Sequence, residues 1–228
     1  SGVIQGTNEE VTISNTTPIE VVNYPVRSLD KTELDIKLDY DFNFLAVAQM
    51  GPRKNIPNTV FWFIDEFHNE EIGLVLKANT ANCSTADYIR TEKALKSITG
   101  KYPDRKCKIY LLHGDMSVEE ITALYKHPKI KCLVSLTHGE GYGLPLFEAA
   151  YNGLPIIAPG WSGHVDFLYA SVPSPSSGKV KTRALFNEVD FNIQPVEKSA
   201  LWPGVIDEGS MWCYPQAGSY KMQLRKVR

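Results

Sequence analysis

From Phe42 onward the chain alternates short, almost uninterrupted apolar runs with longer amphipathic ones, and this alternation restricts the fold more than any other feature. The apolar runs are 42–48, 72–78, 107–112, 130–136 and 155–158; helical patterns fill 56–67, 86–98, 118–125 and 144–151. An apolar run without polar alternation marks a strand buried on both faces. The order therefore predicts an α/β fold: a Rossmann-like parallel sheet with helices on both faces. Pro57 suits a first helical turn, Gly100 stops the second helix, and Ser117 with Glu120 three residues on forms a capping box for the third. Ligands of such sheets lie beyond the carboxyl ends of the strands.

The flanks read differently. Residues 1–40 are polar and irregular, with one β-rich run at 19–24 that Pro25 ends. Beyond Pro159 the pattern loosens: 173–178 predicts a loop, 189–193 an edge strand, and Trp202, Trp212 and Tyr214 are expected to pin the tail. The expected division is 1–40 as a lead-in segment, 41–170 as the ligand-binding domain and 171–228 as an irregular C-terminal tail packed on it. With 24 basic against 26 acidic residues, net charge −2, the chain makes no electrostatic case for nucleic acid or an anionic membrane. No apolar run approaches a membrane span. Cys83, Cys107, Cys132 and Cys213 form no Cys-x-x-Cys pair and match no zinc spacing; Cys107 and Cys132, in apolar strand-like runs, read as reduced core residues, from which a cytoplasmic location is expected.

The chemistry concentrates in Glu140-Gly141-Tyr142-Gly143-Leu144-Pro145-Leu146-Phe147-Glu148. Gly141 and Gly143 let a ligand approach the backbone. Pro145 belongs in a first helical turn, so the amides near Gly143 and Leu144 would face an anion. Glu148 would sit about one turn into that helix. One segment thus offers anion-binding amides and two hydroxyl-binding carboxylates, the combination a sugar nucleotide needs. Paired carboxylates also suit a glycoside hydrolase, but the anion-binding turn between them argues against that reading.

This segment, with the following Gly153-Leu154-Pro155 strand entry, resembles the donor-binding motif of GT-B glycosyltransferases, especially the retaining glycosyltransferase family 4. The resemblance covers roughly residues 20–170. It implies that 41–170 is the C-terminal, nucleotide-sugar-binding domain, and that an N-terminal acceptor-binding domain is missing. It implies a nucleoside-diphosphate sugar as donor, an acceptor of unknown nature, and catalysis with no cofactor and no metal. Glu148 would bind the ribose; Glu140 would face the transferred sugar and act with Lys54 in catalysis. Gly141, Tyr142, Gly143 and Leu144 would line the donor.

In the family, the loop after the first strand supplies an Arg and a Lys to the diphosphate. Here Lys54 matches the Lys, but Gln49 stands at the Arg position. Arg53 either fills that gap or is a solvated loop charge; Lys77, ending the second strand, either supplies the cation or snorkels at the sheet edge. Gly114 and Met116 would contact the base, and His138 is placed to touch donor phosphate or sugar. His164 could border the acceptor cleft, and Asp166 would cap a helix or support the residues that touch the ligand. A sugar-nucleotide epimerase and a non-catalytic nucleotide-sugar-binding module remain as alternatives.

Overall fold

The computed structural model describes residues 33–173 and 180–228, together with 2–3, 10–11, 17–22, 24–26 and 29. A short antiparallel ladder pairs β1 (Gly2–Val3) with β2 (Glu10–Val11). The central unit then runs β3 (Asn43–Gln49), α1 (Ile56–Phe67), β4 (Gly73–Asn79), α2 (Thr85–Thr99), β5 (Lys108–Leu112), α3 (Val118–Tyr125), β6 (Ile130–Val134), α4 (Leu144–Tyr151), β7 (Ile156–Pro159) and α5 (Val165–Leu168). After it come β8 (Tyr169–Pro173), β9 (Val180–Ala184), β10 (Asn187–Val189), β11 (Phe191–Pro195), β12 (Met211–Pro215) and α6 (Ala217–Val227).

Six strands form one sheet in the order β10-β7-β6-β3-β4-β5, every neighbouring pair parallel. The sheet runs outward from β3 in both directions, so its switch point lies between β3 and β6, where doubly wound sheets open a crevice for ligands. Side chains alternate between two cores, as strand geometry requires. Phe44, Ala46, Leu74 and Leu76 pack under α1, α2 and α6 through Phe63, Phe67, Leu95 and Tyr220; Leu45, Val75 and Leu133 pack under α3 and α4 through Leu124, Leu146 and Ala149. The Ser117 hydroxyl accepts from the Glu120 N–H while the Glu120 carboxylate accepts from the Ser117 N–H, completing the capping box of α3.

Four expectations about the flanks are corrected, and a fifth falls largely outside the described residues. Residues 19–22 form no strand; among the described residues nothing pairs with them and Ile19, Val21 and Val22 are exposed, while Asn23 lies outside the described residues. The loop expected at 173–178 falls outside them too, except for Pro173, which ends β8. The region 171–228 is not irregular. β10 is the sixth strand of the main sheet, β8 pairs with β9, β11 pairs with β12, and α6 packs on α1, with Leu224 in the core. The edge strand expected at 189–193 is two elements, broken at Asp190. Trp212 is buried as anticipated, whereas Trp202 is 64% exposed and pins nothing.

Candidate active site

The loops after β3 and β6, the two strands at the switch point, meet in an ion cluster. Asn55, in a left-handed conformation with φ 52°, ends a tight turn over Pro52–Lys54. Its buried carboxamide N–H donates to Leu136 O at 3.1 Å, tying the β3 loop to the β6 loop. Lys54 Nζ then donates to Glu140 Oε1 at 2.5 Å, and Arg53 Nη1 to Glu140 Oε2 at 3.1 Å. Arg53 also donates to Gly139 O. The Glu140 side chain is only 8% exposed. Burial pushes its carboxyl upward, but Lys54 and Arg53 together outweigh burial and hold it below the ordinary glutamate value.

A third loop supports this cluster from behind. The Glu140 N–H donates to Ser162 Oγ at 2.7 Å, and the Gly163 N–H donates to Glu140 O at 3.1 Å. Ser162 holds a positive φ of 73°, a strained geometry that the two bonds to the Glu140 loop help fix. His164 is fully buried beneath the turn. Its Nε2 lies 2.7 Å from Pro159 O; a carbonyl only accepts, so Nε2 carries the proton. Among the described residues Nδ1 has no partner, and burial holds the ring pKa low. His164 is thus a support beneath the turn, not a residue bordering a cleft. Asp166 stands exposed in the first turn of α5, and its side chain caps nothing.

Beside the ion cluster a cavity of about 440 Å³ lies over the carboxyl ends of β3 and β4. Its lining combines Gln49, Lys54 and Lys77 with Asp115, Met116, Pro145 and Glu148. Val47 pairs with Lys77 in register, so Lys77 and Gln49 fall on the same face of the sheet, two residues apart along the strands. Lys77 Nζ donates to Gly114 O, and Gln49 Nε2 to Thr80 O at 3.0 Å. Among the described residues Lys77 forms no ion pair. Gly143 caps α4 with φ 91°. Among the described residues the amides of Gly141, Tyr142, Gly143 and Leu144 donate to no backbone carbonyl; that of Leu144, the first residue of α4, is a usual orphan donor of a helix start.

Glu148 reaches the same cavity from α4. Its Oε2 accepts from the Tyr125 O–H at 3.0 Å. Burial raises its carboxyl above the ordinary value, with the Tyr125 bond opposing. Burial likewise raises the Tyr125 phenol, with Glu148 reinforcing.

The sequence-derived residues thus separate. Lys54, Lys77, Gln49, Met116 and Glu148 share one cavity, with Glu140 bound to Lys54 at its edge. Arg53 is not a wall of that cavity; its side chain, 42% exposed, pairs with Glu140 and donates to Gly139 O. Gly114, with φ 103°, faces an adjoining hollow with Tyr88 and His113 that shares Cys83 with the cavity, and its carbonyl is taken by Lys77. His138 is committed elsewhere: its Nδ1 lies 2.6 Å from Cys213 O and its ring stacks on Trp212 at 5.2 Å and 9°. The Tyr142 ring joins Tyr24, Phe147 and Phe167 in an aromatic cluster, with centroids 5.1–5.5 Å apart. Sequence reading missed Tyr125, Asn55, Ser162 and Asp115. Only Ser162 carried a signal, in its place beside Gly163 at the end of an apolar strand. Among the described residues no helix is long and apolar enough to cross a membrane, and no three His, Cys, Asp or Glu side chains gather as a metal site.

No protein-family profile matches the chain, and none of the curated proteins is similar to it. Among solved structures, it is similar to the C-terminal domain of a glycosyl transferase group 1 family protein, LpcC, from Francisella tularensis: 16% identity over 57% of this chain and 64% of that one, TM-score 0.43. It is similar also to an α,α-trehalose 6-phosphate synthase from Burkholderia multivorans, with 14% identity over 56% of this chain and 30% of that one and a TM-score of 0.45. A third is the pneumococcal O-GlcNAc transferase GtfA in complex with UDP and GlcNAc, with 18% identity, 59% and 25% coverage and a TM-score of 0.37. The chain thus spans less than two thirds of each of these chains.

Proposed function

We propose that this chain is the donor-binding half of a retaining GT-B glycosyltransferase of the family 4 type. It binds a nucleoside-diphosphate sugar and passes the glycosyl group to an acceptor held by a further domain. The observation that carries the reading is the meeting, beyond the carboxyl ends of β3, β4 and β6, of Lys54, Lys77, the start of α4 and two carboxylates in unlike environments. Transfer breaks the anomeric C–O bond, so negative charge grows on the diphosphate and positive charge on the sugar ring. Lys54, Lys77 and the α4 amides would meet the first. The ionised Glu140 would meet the second, lying against Lys54 and thus next to the leaving group. The acceptor oxygen would attack from the leaving-group side, and its proton would pass to the departing phosphate. These cations and amides let the chemistry run without a metal.

Titrating the chain with UDP, GDP, ADP and TDP by calorimetry, beside Glu148→Ala, tests this. One diphosphate should bind, and the variant should lose it. A folded wild-type chain that binds none of the four overturns the reading. A non-catalytic binding module is favoured by one feature, the complete neutralisation of Glu140 by Lys54 and Arg53. Turnover by a two-domain form containing this chain separates the two.

A further inference from the structure

Asp87, in the first turn of α2, is buried against the loop that follows β4 and is 2% exposed. Its Oδ2 accepts from the Thr80 N–H and its Oδ1 from the Ala81 N–H, both at 3.0 Å. His113, just past β5, adds a third bond: its Nε2 lies 3.0 Å from Asp87 Oδ2. A carboxylate only accepts, so this nitrogen carries the proton. The His113 side chain is buried too, and the Tyr88 ring stands edge-on to the imidazole at 5.5 Å and 79°. One carboxylate of α2 thus fastens two loops, the one after β4 and the one after β5.

These loops receive two polar side chains that the sheet carries into the cation-bearing cavity. Thr80 O accepts from Gln49 Nε2 at 3.0 Å, and Gly114 O, one residue past His113, accepts from Lys77 Nζ. A lysine carries about 2 kcal/mol of rotamer entropy on its flexible stem, so the place of its ammonium depends on the carbonyl that receives it. Gly114 has φ 103°, and a glycine leaves the backbone free to turn. Its carbonyl keeps one direction only if a neighbour is tied down, and His113 is that neighbour. We infer that Asp87 and His113 are positioning residues of the site: the pair fixes Gly114 O, and Gly114 O fixes the Lys77 ammonium where a diphosphate would lie. This rests on the functional reading above and adds what aims its second cation. Neither side chain lines the cavity, so the pair acts through Lys77. Folding alone does not call for a buried charged pair, which apolar side chains of the same volume often match in stability; a charge-assisted hydrogen bond does fix geometry.

His113→Phe keeps a ring and loses the N–H. Wild type, His113→Phe, Lys77→Gln and the double variant are titrated with inorganic pyrophosphate. Separately, with no ligand present, the acetylation rate of Lys77 is read by mass spectrometry against the exposed Lys126 in wild type and His113→Phe. His113→Phe should weaken pyrophosphate about fivefold and Lys77→Gln about tenfold, and the double variant should bind no more weakly than Lys77→Gln, because residues that act through one another do not add. In His113→Phe, Lys77 should acetylate about threefold faster or more, its tie to the coupled Gly114 carbonyl being loosened. His113→Gln, whose amide N–H can still reach Asp87, should recover most of both losses. Losses that multiply in the double variant, to about fiftyfold, show independent structural roles and overturn the inference, as does an unchanged Lys77 rate in His113→Phe. If His113→Phe fails to melt cooperatively, Asp87→Asn is read in its place against the same outcomes. A wild type that binds neither pyrophosphate nor UDP, GDP, ADP or TDP overturns the functional reading, and the acetylation rates still decide whether the pair aims Lys77.

Discussion

Gly163→Ala tests whether three loops hold Glu140 in place by direct backbone contact. A Cβ at Gly163 would stand 2.6 Å from the Gly141 carbonyl carbon and 3.0 Å from Glu140 O, and closer still to Gly141 O. Carbon atoms in contact prefer about 3.5 Å, so the Glu140–Gly141 turn must shift by roughly 1 Å. It cannot yield without loss, because the Gly163 N–H to Glu140 O bond and the Glu140 N–H to Ser162 Oγ bond span the same gap. Overpacking of this kind costs about 1–3 kcal/mol. For a domain of this size that lowers Tm by roughly 2–12 °C, at about 2–4 °C per kcal/mol. A misplacement of about 1 Å near reacting atoms costs on the order of 100-fold in turnover. Gly139→Ala is the matched control: its new Cβ would find nothing closer than Ser162 Oγ at 3.8 Å, so stability should change by less than about 0.5 kcal/mol. Melting curves and nucleotide titrations of both variants decide. Equal melting of Gly163→Ala and Gly139→Ala refutes the contact argument.

The two carboxylates should respond to pH with opposite signs. The Glu140 carboxyl is held low, so its contribution to folding is present above the ordinary value of 4.5 and lost as pH falls through its lower folded value. Glu140→Gln should melt earlier than wild type at pH 7, with the gap closing at acidic pH; a gap independent of pH would sink the idea. The Glu148 carboxyl is held high by burial, so its contribution is present below 4.5 and lost as pH rises. Glu148→Gln should melt no earlier than wild type at pH 7 while losing nucleotide, and marked destabilisation there would contradict the assigned environment. Lys77→Gln should weaken pyrophosphate binding about tenfold, and Gln49→Arg, on the same sheet face, should restore it; no rescue would separate the two positions. Trp212→Ala removes a buried ring stacked on His138; it should cost about 3 kcal/mol and weaken nucleotide binding by loosening the loop that carries Glu140. Unchanged binding would show the tail to be a mere cover.

Much of the central unit was legible because its signals are local. The apolar runs became the strands of the sheet, β3, β4, β5 and β7 each beginning one residue later than its run does; β5, at the sheet's edge, is the one that is only partly buried. Periodicity, a capping box and well-placed prolines set α1, α3 and α4 at the expected bounds. The tail was less legible. β8, β9 and β11 are short and largely exposed, so burial left no pattern in them. α6 begins without a side-chain cap and is defined by its packing against α1.

Residue types and their spacing determined, without coordinates, that this chain builds a parallel α/β sheet, and they singled out the Glu140–Glu148 segment as its candidate site. Tertiary structure alone decided which cation meets which carboxylate. Arg53 and Glu140 are 87 residues apart, His138 and Cys213 are 75 apart, and Tyr125 and Glu148 are 23 apart. Such pairs leave no trace in local periodicity. They arise because a doubly wound sheet brings the ends of β3 and β6 side by side, and because buried polar groups must find partners wherever the chain happens to return.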